Sequence, residues 1–458
     1  LVFGATGFKG SWLCLWLKIM GANVYGVGHN PNNNKKLFNQ LNLSKKIKLQ
    51  NIDIRNSNKI RKYIKKTRPA IIFHLAAQPI ISKSYEKPKY TYEVNSLGTL
   101  NIIDSLKDLK FIRSVVFVTS DKCYQSNNST IGFKENDKLG GVDPYSGSKA
   151  CAEIIVNTYY ESFFKNKTKT GIATARAGNV IGGGDWSKDR LIPDAINFLN
   201  NDKEIVIRNP NFNRPWQHVL EPLYGYLILA QKLYFNSNKF SGPWNFGTER
   251  NTVTSVEQII HKIIKEWGKG KYKTLNKKKF YEQINLQLNI SKAKKILKWK
   301  PKFSIDECVK ITIEWYKEVL INKTSVQKIT QSQILNYMNK NEKKKIKIIK
   351  NKKGNIIKFL NFKKKLLPKY GELYFSEVKK GQFKGWKYHE KRNQISTISS
   401  GIVIFSFKKK LDGKVNKIKM SYPNDLFSIY IPKKTYYSFR CISKNNAMII
   451  SLIDEIVK

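Results

Sequence analysis

Short apolar runs alternate with helical patterns along residues 1–180. The apolar runs predict strands over residues 1–3, 24–27, 71–75, 114–119 and 172–176. The stretches between them predict helices over residues 10–20, 59–65, 92–106 and 145–164. Strands joined by helices in this way pair in parallel and are covered on both faces. The pattern therefore predicts an α/β domain built on a parallel sheet.

The pattern changes twice farther along the chain. Between 181 and 320 it loosens, which predicts a smaller substrate lobe over the strand ends, where open α/β sheets bind ligands. Residues 321–345 are polar and Lys-rich without an apolar period, so we expect a linker or a surface helix. After residue 346, short strand patterns predict an all-β sandwich or barrel, with strands over 355–359, 372–378, 401–407, 427–431 and 448–453.

Composition narrows the class of protein. The chain has 458 residues, a formal net charge of +51 and 41% hydrophobic residues, which suits a folded protein of two or three domains. The basic residues are scattered rather than interleaved with aromatics, so we expect a solvated surface that attracts anionic substrates, and no nucleic-acid partner. No apolar run is long enough for membrane insertion. The five cysteines contain no C-x-x-C pair, which favours a cytoplasmic protein with reduced thiols and no metal site. Leu1 follows no Met and stands within a strand pattern, so we expect the fold to begin before it.

A glycine-rich loop follows the first strand pattern and opens the first helix. Its glycines, Gly4, Gly7 and Gly10, are spaced G-x-x-G-x-x-G. Glycines there allow a tight turn and let backbone N–H groups approach a pyrophosphate at the helix N-terminus. A plain helix start is the alternative. The strand–turn–helix context favours a dinucleotide-binding loop.

This spacing, together with the later motifs, resembles the extended short-chain dehydrogenase/reductase family of Rossmann-type enzymes. The carrying segments are 51–55 (Asn-Ile-Asp-Ile-Arg), 74–78 (His-Leu-Ala-Ala-Gln) and Asn95. One departure is that residues 28–31, Gly-His-Asn-Pro, lack the acidic residue that usually binds the NAD ribose. No Arg offers a 2′-phosphate clamp, although Lys35 and Lys36 are near, so NAD is favoured over NADP. The resemblance implies that NAD contacts Gly4, Thr6, Gly7, Phe8, Gly10, Asp53, Ile54, Leu75, Ala76, Ala77, Asn95, Tyr145 and Lys149.

Tyr145 and Lys149 share one helix face at a spacing of i and i+4. An ammonium beside a phenol favours the phenolate, so we expect Tyr145 to act as a base near neutral pH. Tyr85–Lys89 and Tyr430–Lys434 have the same spacing. Only Tyr145 begins a helix, after Asp143-Pro144, at the family's distance from the glycine loop.

Ser120, Asp121 and Lys122 end a strand pattern, at the position that separates reaction types in this family. A hydroxyl followed by Asp-Lys resembles the CDP-glucose 4,6-dehydratases, as do the segments 7–12, 176–186, 189–193 and 214–218. In such an NAD-dependent lyase, Ser120 would polarise the C4 oxygen of the sugar and Lys122, as a neutral amine, would remove the C5 proton. Asp121, with a raised pKa, would protonate the departing C6 hydroxyl. The alternative is that Asp121 and Lys122 form a surface ion pair.

The resemblance also implies a grip on the substrate. Arg side chains suit a diphosphate, whereas His218 has the alternative of an internally bonded residue of the lobe. The predicted substrate is CDP-glucose or a related nucleotide sugar, and the family implies a homodimer through a helix pair that includes 145–164. A 4-epimerase, or a binding protein without catalysis, remains open as an alternative. The substrate-binding candidates are Gln78, Asn179, Arg190, Arg214 and His218.

Residues 346–458 resemble cupin (jelly-roll) proteins of the deoxysugar 3,5-epimerase type. The carrying segments are 371–377, 384–389 and 431–439. His389 is the sole His of this region and a candidate base, but the family's His–Asp pair and downstream Tyr are not evident. An epimerase or isomerase acting on the keto product and a non-catalytic module both stay open.

Overall fold

The computed structural model describes residues 1–29, 36–125, 132–249, 254–275, 286–339, 344–345, 347–349, 356–358, 372–409, 412–413 and 415–454. The chain forms two compact units, Leu1–Met338 and Asn339–Lys458. Within the described ranges, no helix has both the length and the apolar character that a membrane crossing requires.

A seven-stranded parallel sheet forms the centre of the first unit, in the order β11-β6-β5-β4-β1-β2-β3. The central strands β5 and β6 are buried along their whole length, as expected for a sheet that is covered on both faces. The predicted α/β Rossmann-type fold is confirmed. The strands are β1 Val2–Phe3, β2 Tyr25–Gly28, β3 Lys48–Asn51, β4 Ile71–His74, β5 Ser114–Val118, β6 Gly171–Ala177, β7 Val180–Ile181, β8 Ile205–Ile207, β9 Asn213–Arg214, β10 Gln217–His218, β11 Gly242–Phe246, β12 Thr254–Ser255 and β13 Tyr272–Thr274.

The helices of this unit begin at residues that satisfy their free N–H groups. Asp143 accepts a hydrogen bond from the Ser146 N–H at the start of α7, and Ser255 and Ser304 form capping boxes at α11 and α12. The helices are α1 Phe8–Ile19, α2 Leu37–Gln40, α3 Ser57–Thr67, α4 Ile81–Glu86, α5 Pro88–Tyr92, α6 Gly98–Asp104, α7 Pro144–Tyr159, α8 Leu191–Asn200, α9 Leu220–Phe235, α10 Ser237–Phe240, α11 Val256–Trp267, α12 Ile305–Leu320 and α13 Val326–Asn339. Short π-helical stretches join α5 to α6 and extend α7 over Tyr160–Phe164.

Residues 181–320 are less separate from the sheet than the sequence predicts. Strand β11 pairs with β6 as the seventh strand, and α9 packs against β5 and β6. The buried residues Tyr226, Leu229 and Leu233 form the packed face of α9. The predicted lobe therefore contributes part of the main domain, and only its shorter elements rim the strand ends.

In place of a linker or surface helix over 321–345, the structure has α13 packed into the first unit. Ile334 and Tyr337 are fully buried, and the Tyr337 hydroxyl donates a hydrogen bond of 2.6 Å to Glu221. Trp315 donates its indole N–H to the Thr330 hydroxyl, at 2.9 Å. The buried stripe was hidden in the sequence because Thr330 is a polar residue.

The second unit forms antiparallel β-sheets over its described residues from 344 onward, as predicted. Its antiparallel sheets have the orders β14-β22-β19-β24-β17 and β18-β23-β20-β21, and Val403, Phe405 and Ile449 lie in its buried core. The sequence pattern missed strands β14, β15, β18, β19, β21 and β23, and the likeness to cupins stays a prediction. The strands are β14 Lys344–Lys345, β15 Lys347–Ile349, β16 Ile356–Lys358, β17 Glu372–Val378, β18 Phe383–Tyr388, β19 Gln394–Ser400, β20 Ile402–Lys408, β21 Asn416–Ser421, β22 Phe427–Ile431, β23 Tyr436–Cys441 and β24 Ala447–Ile453.

A buried ion pair joins three elements of the first unit. Arg176 on β6 contacts Glu153 on α7 at 2.7 Å, and both side chains are almost inaccessible to solvent. Glu153 also accepts hydrogen bonds from the hydroxyls of Thr174 and Thr119, the latter at the end of β5. Arg176 donates a second hydrogen bond, of 2.6 Å, to the Tyr124 hydroxyl. Burial in this network makes each charge depend on its partners.

We predict that Glu153→Ala destabilises the first unit by about 3–5 kcal/mol, because it leaves the Arg176 charge buried without a counter-ion. Glu161→Ala is the matched control, since Glu161 forms an exposed ion pair with Lys165 and should cost less than about 1 kcal/mol. Urea unfolding of the full chain measures both. Equal midpoints for the two variants would contradict the prediction.

Candidate active site

The glycine loop has the close backbone contacts that its spacing predicts. Gly4 has φ +84°, and a Cβ there would lie 2.6 Å from the Ala76 backbone N. A Cβ on Gly10 would lie 2.0 Å from the Gly4 carbonyl oxygen. Both positions therefore require glycine, and Gly7 begins α1 as its N-cap. The loop leaves room for a phosphate at a helix N-terminus.

A cavity of about 1030 Å³ opens at the carboxyl ends of the central strands. Its walls come from the glycine loop, from the segments that follow β4, β5 and β6, from α8 and from the neighbourhood of β8 and β9. This is the edge of an open parallel sheet where ligands bind. The predicted site residues that line it are Gly4, Gly7, Phe8, Gly10, Leu75, Ala77, Ser120, Asp121, Lys122, Tyr145, Lys149, Asn179, Arg190 and Arg214.

Ser120 and Asp121 lie at the bottom of this cavity, where β5 ends. The Ser120 hydroxyl accepts a hydrogen bond from the Lys122 N–H and so begins the short turn Asp121–Cys123. Ser120 donates to Asp121 Oδ1 at 3.1 Å. Asp121 Oδ2 is buried without a hydrogen-bond partner among the described residues. Burial raises the pKa of Asp121, against the lowering effect of Lys122 and Ser120. This is the direction that a general acid needs.

Tyr145 and Lys149 face the cavity from the first turns of α7. Burial raises the pKa of Tyr145 to about 12, and the nearby Ser120 hydroxyl opposes this increase. Burial lowers the pKa of Lys149 to about 8, and Lys149 donates to the Val118 carbonyl at 3.4 Å. We predicted that Lys149 lowers the pKa of Tyr145. In the protein without a cofactor this pKa is raised instead, because desolvation of the phenolate outweighs the opposing effects of Ser120 and Arg190.

Several Arg side chains line the cavity, two of them paired with Asp residues. Arg190 contacts Asp185 at 2.9 Å, and Arg208 contacts Asp189 at 3.5 Å. Arg214 is buried, and its guanidinium lies 5.1 Å from the centre of the Phe212 ring. Three positively charged side chains around one cavity suit an anionic ligand.

Lys9 is a cavity residue that the sequence analysis passed over as part of the glycine loop. Its ammonium lies 6.0 Å from the centre of the Tyr226 ring. Burial lowers the pKa of Lys9 to about 7, helped by Arg190 and Lys149. A charged residue among small and apolar loop residues was the signal that could have identified it.

Five predicted cofactor contacts are not among the residues that line the cavity: Thr6, Asp53, Ile54, Ala76 and Asn95. Thr6 packs at the end of β2, where a Cβ on Gly28 would meet its side chain at 2.4 Å. Asp53 is paired with Arg55 at 2.6 Å, and Ile54 packs over Gly98. Ala76 lies against the glycine loop and Leu75 and Ala77 flank it in the cavity. Contact of Thr6, Asp53, Ile54 and Ala76 with a cofactor stays a prediction. The segment at 30–35, which includes Lys35, lies outside the described residues.

Asn95 and Gln78 bind each other rather than facing the cavity. The Asn95 carbonyl oxygen accepts from the Gln78 N–H at 2.8 Å, and its amide donates to the Gln78 carbonyl and to Ser148. The Gln78 amide donates to Ile80 and Thr91. Both side chains are buried. Their position corrects the predicted direct contacts with cofactor and substrate, because these bonds hold the loop after β4 to α7.

His218 is also displaced from its predicted role. It is fully buried, packs edge-on against Trp12 and Phe303, and accepts a hydrogen bond from the Leu220 N–H at Nδ1. Burial lowers its pKa to about 3, so the ring is neutral. His218 is not among the residues that line the cavity, although its Nε2 has no hydrogen-bond partner among the described residues.

His389 in the second unit has a partner that the sequence analysis did not identify. Its Nε2 lies 2.5 Å from the Tyr437 hydroxyl, and this hydroxyl donates to Gln394 at 2.9 Å. The Tyr374 hydroxyl donates to the same Gln394 oxygen at 3.0 Å. Burial, with Arg392 nearby, lowers the pKa of His389, and burial raises that of Tyr437. A His–Tyr pair thus stands where the family resemblance implied a His–Asp pair.

The parallel sheet, the glycine loop and the Tyr145–Lys149 pair together define a Rossmann-type enzyme of the short-chain dehydrogenase/reductase class. A model of the GDP-mannose 4,6 dehydratase family matches residues 1–312, and the chain belongs to this family. A CDP-glucose 4,6-dehydratase of Salmonella typhimurium is 43% identical over 321 residues, which is 69% of this chain and 89% of the relative. A dTDP-D-glucose 4,6-dehydratase of Dictyostelium discoideum is 26% identical, covering 69% of this chain and 81% of its own.

Solved structures share the fold of the first unit. A UDP-glucose 4-epimerase from Thermotoga maritima with UDP-glucose superposes with a TM-score of 0.61, at 22% identity over 70% of this chain and 98% of its own. A dTDP-glucose 4,6-dehydratase from Bacillus anthracis in complex with NAD gives 0.59, at 21% identity over 69% and 96%. Such low identity supports the fold and leaves function to the site.

We predict that Asp121→Asn stabilises the protein by about 1 kcal/mol at pH 7.5. Burial raises the folded-state pKa of Asp121 above the ordinary aspartate value of 3.8, so the carboxyl costs stability as it ionises with rising pH. The gain should disappear near pH 4, where the wild-type carboxyl is protonated. Asp108→Asn, at an exposed position, is the control and should show no such trend. Urea midpoints at both pH values measure the effect; a gain independent of pH would contradict it.

Proposed function

We propose that the first unit converts CDP-glucose to CDP-4-keto-6-deoxyglucose and water, as an NAD-dependent hydro-lyase. The observation that carries the proposal is the meeting of Asp121, with its raised pKa, and Tyr145 in one cavity at the strand ends. An epimerase needs only the second of these groups. The 43% identity to a CDP-glucose 4,6-dehydratase favours this nucleotide sugar over others.

The residues around the glycine loop fit NAD: a Cβ at Gly4 would clash with the Ala76 backbone and a Cβ at Gly10 with the Gly4 carbonyl, so the glycines keep the tight strand–turn–helix geometry that suits a pyrophosphate. Gly7 and Phe8 at the start of α1 would bind the phosphates through their N–H groups, and Lys149 would bind the ribose. When bound, NAD would supply a reversible hydride acceptor for the sugar, and the positive charge of its oxidised ring would favour ionisation of Tyr145.

Oxidation at C4 falls to Tyr145 and Ser120. Tyr145 would accept the proton of the C4 hydroxyl as hydride leaves C4, and Ser120 would donate a hydrogen bond to the C4 oxygen. The ketone then makes the hydrogen at C5 acidic.

Elimination falls to Lys122 and Asp121. Lys122 would take the C5 proton, and Asp121 would protonate the departing C6 hydroxyl through the oxygen that has no protein partner, Oδ2. The raised pKa of Asp121 keeps a proton available for this step. Lys122 would return its proton to C5 when hydride reaches C6. The hydride lost at C4 is regained at C6, so the reaction would have no net redox change.

Substrate binding would depend on the positively charged side chains that line the cavity. Arg190 and Arg214 would bind the diphosphate, for which Arg forks are suited, and Asn179 would assist them. Arg208 and Lys9, which also line the cavity, add positive charge.

We further propose a homodimer through the helices around α7, in the cytoplasm. Leu97, Ile154 and Phe163 are large apolar residues that are between 44% and 54% exposed on the outer helices of this unit. Such a patch suits burial against a second copy. The five described cysteines are free thiols, as expected in a reducing compartment.

Tyr145→Phe should lower kcat for CDP-glucose dehydration by at least about 100-fold, because the phenolic base is lost. Tyr85→Phe is the matched control: Tyr85 has the same spacing to a Lys but stands outside the cavity lining, so it should retain activity. Formation of the 4-keto product, followed by NMR with NAD present, measures both. Activity with dTDP-, GDP- or UDP-sugars but not with CDP-glucose would overturn the assignment of cytidine as the nucleotide. Absence of activity with all of these sugars would overturn the dehydratase function.

A second candidate function belongs to the second unit, which we propose acts as an epimerase or isomerase on the keto product. The 2.5 Å contact between His389 and Tyr437 carries this proposal. A neutral imidazole and a protonated phenol at hydrogen-bonding distance offer a base and an acid side by side. A ketone makes the C–H groups on its neighbouring carbons acidic, so such a pair could move their protons.

His389→Asn should abolish deuterium exchange at C3, and any exchange at C5 beyond that caused by the first unit, since both carbons are next to the C4 ketone. The 4-keto product is incubated with the full chain in deuterated water and read by NMR. His261→Asn, at an exposed position of the first unit, is the control. Equal exchange in both variants would assign the second unit a non-catalytic role.

A further inference from the structure

Strands β5 and β6 end side by side at the bottom of the cavity. They pair in parallel with Val118 opposite Ala175, and the Thr119 N–H donates to the Ala175 carbonyl at 3.0 Å. The same register, continued for three residues, would place Asp121 beside Gly178. Both of these residues line the cavity. The proposed general acid therefore has a glycine as its neighbour at the end of the next strand.

Gly178 lies close to the free oxygen of the Asp121 carboxyl. A Cβ on Gly178 would lie 2.9 Å from Asp121 Oδ2 and 3.0 Å from Pro215 Cγ. Nonbonded atoms do not pack at such short distances, so a side chain there would displace the carboxyl or the proline. Asp121 is 2% exposed, and its Oδ2 has no hydrogen-bond partner among the described residues. The position of Oδ2 thus depends on the absence of a side chain at residue 178.

The backbone conformation of Gly178 does not itself require glycine. Its φ lies outside the positive range in which Gly4 and Gly184 are found, so an L residue could adopt the same conformation. The restricted space beside Asp121 and Pro215 is the reason for glycine that the structure shows. Replacement by Ala would therefore add one methyl group beside the acid without straining the backbone.

This inference rests on the proposed dehydration, in which Asp121 acts only on the departing C6 hydroxyl. The Ser120 hydroxyl donates to Asp121 Oδ1 at 3.1 Å, so Oδ2 is the oxygen available to the leaving group. A general acid must lie within hydrogen-bond reach of the atom that it protonates, and a displacement of about 1 Å can lower a rate about 100-fold. Oxidation at C4 uses Tyr145 and does not use Asp121.

We propose that Gly178 is a positioning residue for the elimination step. Because it carries no side chain, the end of β6 can approach Asp121 and hold Oδ2 where it can protonate the C6 hydroxyl. Elimination breaks the C5–H and C6–O bonds: Lys122 takes the C5 proton, Asp121 gives its proton to the C6 oxygen, and water leaves. Gly178 contributes no atom to this balance and does not act on hydride transfer. A side chain at residue 178 therefore impairs elimination and spares oxidation.

Gly178→Ala tests this role by separating oxidation from elimination. Enzyme and NAD, both in excess over CDP-glucose, are mixed with it in deuterated water. The absorbance of NADH rises with oxidation at C4 and falls when hydride reaches C6. The variant should keep the rate of the rise within about threefold and slow the fall by at least about tenfold. CDP-glucose recovered from the variant should carry deuterium at C5, read by NMR, because oxidation and loss of the C5 proton continue and reverse.

A double-variant cycle shows whether Gly178 acts through Asp121. In an Asp121→Asn background, Gly178→Ala should slow elimination by less than about threefold, because the acid that it displaces is already absent. Gly182→Ala is the matched control, since its methyl group would lie 2.8 Å from a methyl carbon of Val219 rather than beside the acid. Any effect of Gly182→Ala on elimination should add to that of Asp121→Asn.

Gly178→Ala/Pro215→Ala removes the second contact of the new methyl group and keeps the one with Asp121. This variant should show the same slow elimination, and it replaces the single variant if urea unfolding shows that the latter does not fold. Equal loss of oxidation and elimination, additive effects of Gly178→Ala and Asp121→Asn, or recovery of elimination with Pro215→Ala would overturn the role of Gly178. A wild-type protein that does not dehydrate CDP-glucose would instead overturn the proposed function.

Discussion

The buried pair of Arg176 and Glu153 is the constraint on which the geometry of the cavity depends. Glu153 is on the helix that carries Tyr145 and Lys149, and Arg176 is on the strand that leads to Asn179. The same carboxylate accepts a hydrogen bond from Thr119, the residue before Ser120. Three elements that deliver catalytic side chains therefore share one charged contact. Such a pair contributes little net stability over an apolar core, but it fixes one arrangement because the separated charges are costly.

Burial has a second effect, on the chemistry. It raises the pKa of both Asp121 and Tyr145, because each loses solvation when it ionises. For Asp121 this favours the acid that elimination requires. For Tyr145 it opposes the base that oxidation requires, so the phenol depends on added positive charge from the cofactor. The protein alone thus favours the protonated form of Asp121, whereas the phenolate form of Tyr145 would be favoured only when the cofactor is bound.

The sequence predicted the elements that have regular periods and local signals. Five of the seven parallel strands, the glycine loop and the start of α7 at Asp143-Pro144 were identified within a few residues, since strand runs, glycine spacing and helix caps are local. The two edge strands of the sheet, β3 and β11, were missed. The burial of α13 was missed because Thr330 and Gln333 are polar residues that find partners inside the unit. Such partners come from distant segments and leave no periodic trace.

The candidate site shows the same division. Ser120, Asp121 and Tyr145 share a cavity, as their motifs predicted. Gln78, Asn95 and His218 belong to motifs equally close in pattern, yet their polar atoms are bonded within the protein or packed among aromatic rings. A motif identifies a position in the sequence, but it does not show whether the side chain there contacts a ligand or a neighbouring residue. Tyr437, the partner of His389, comes from another strand and could be found only in three dimensions.

The central claim is that one hydride leaves C4 and returns to C6 of the same sugar within this cavity. The most direct measurement is a crossover experiment with an equal mixture of unlabelled CDP-glucose and CDP-glucose carrying deuterium at C4 and carbon-13 throughout the sugar. Mass spectrometry and NMR of the product locate both labels. We expect deuterium at C6 only in molecules that contain carbon-13. Deuterium in carbon-12 product, or its loss to solvent, would contradict an internal hydride transfer.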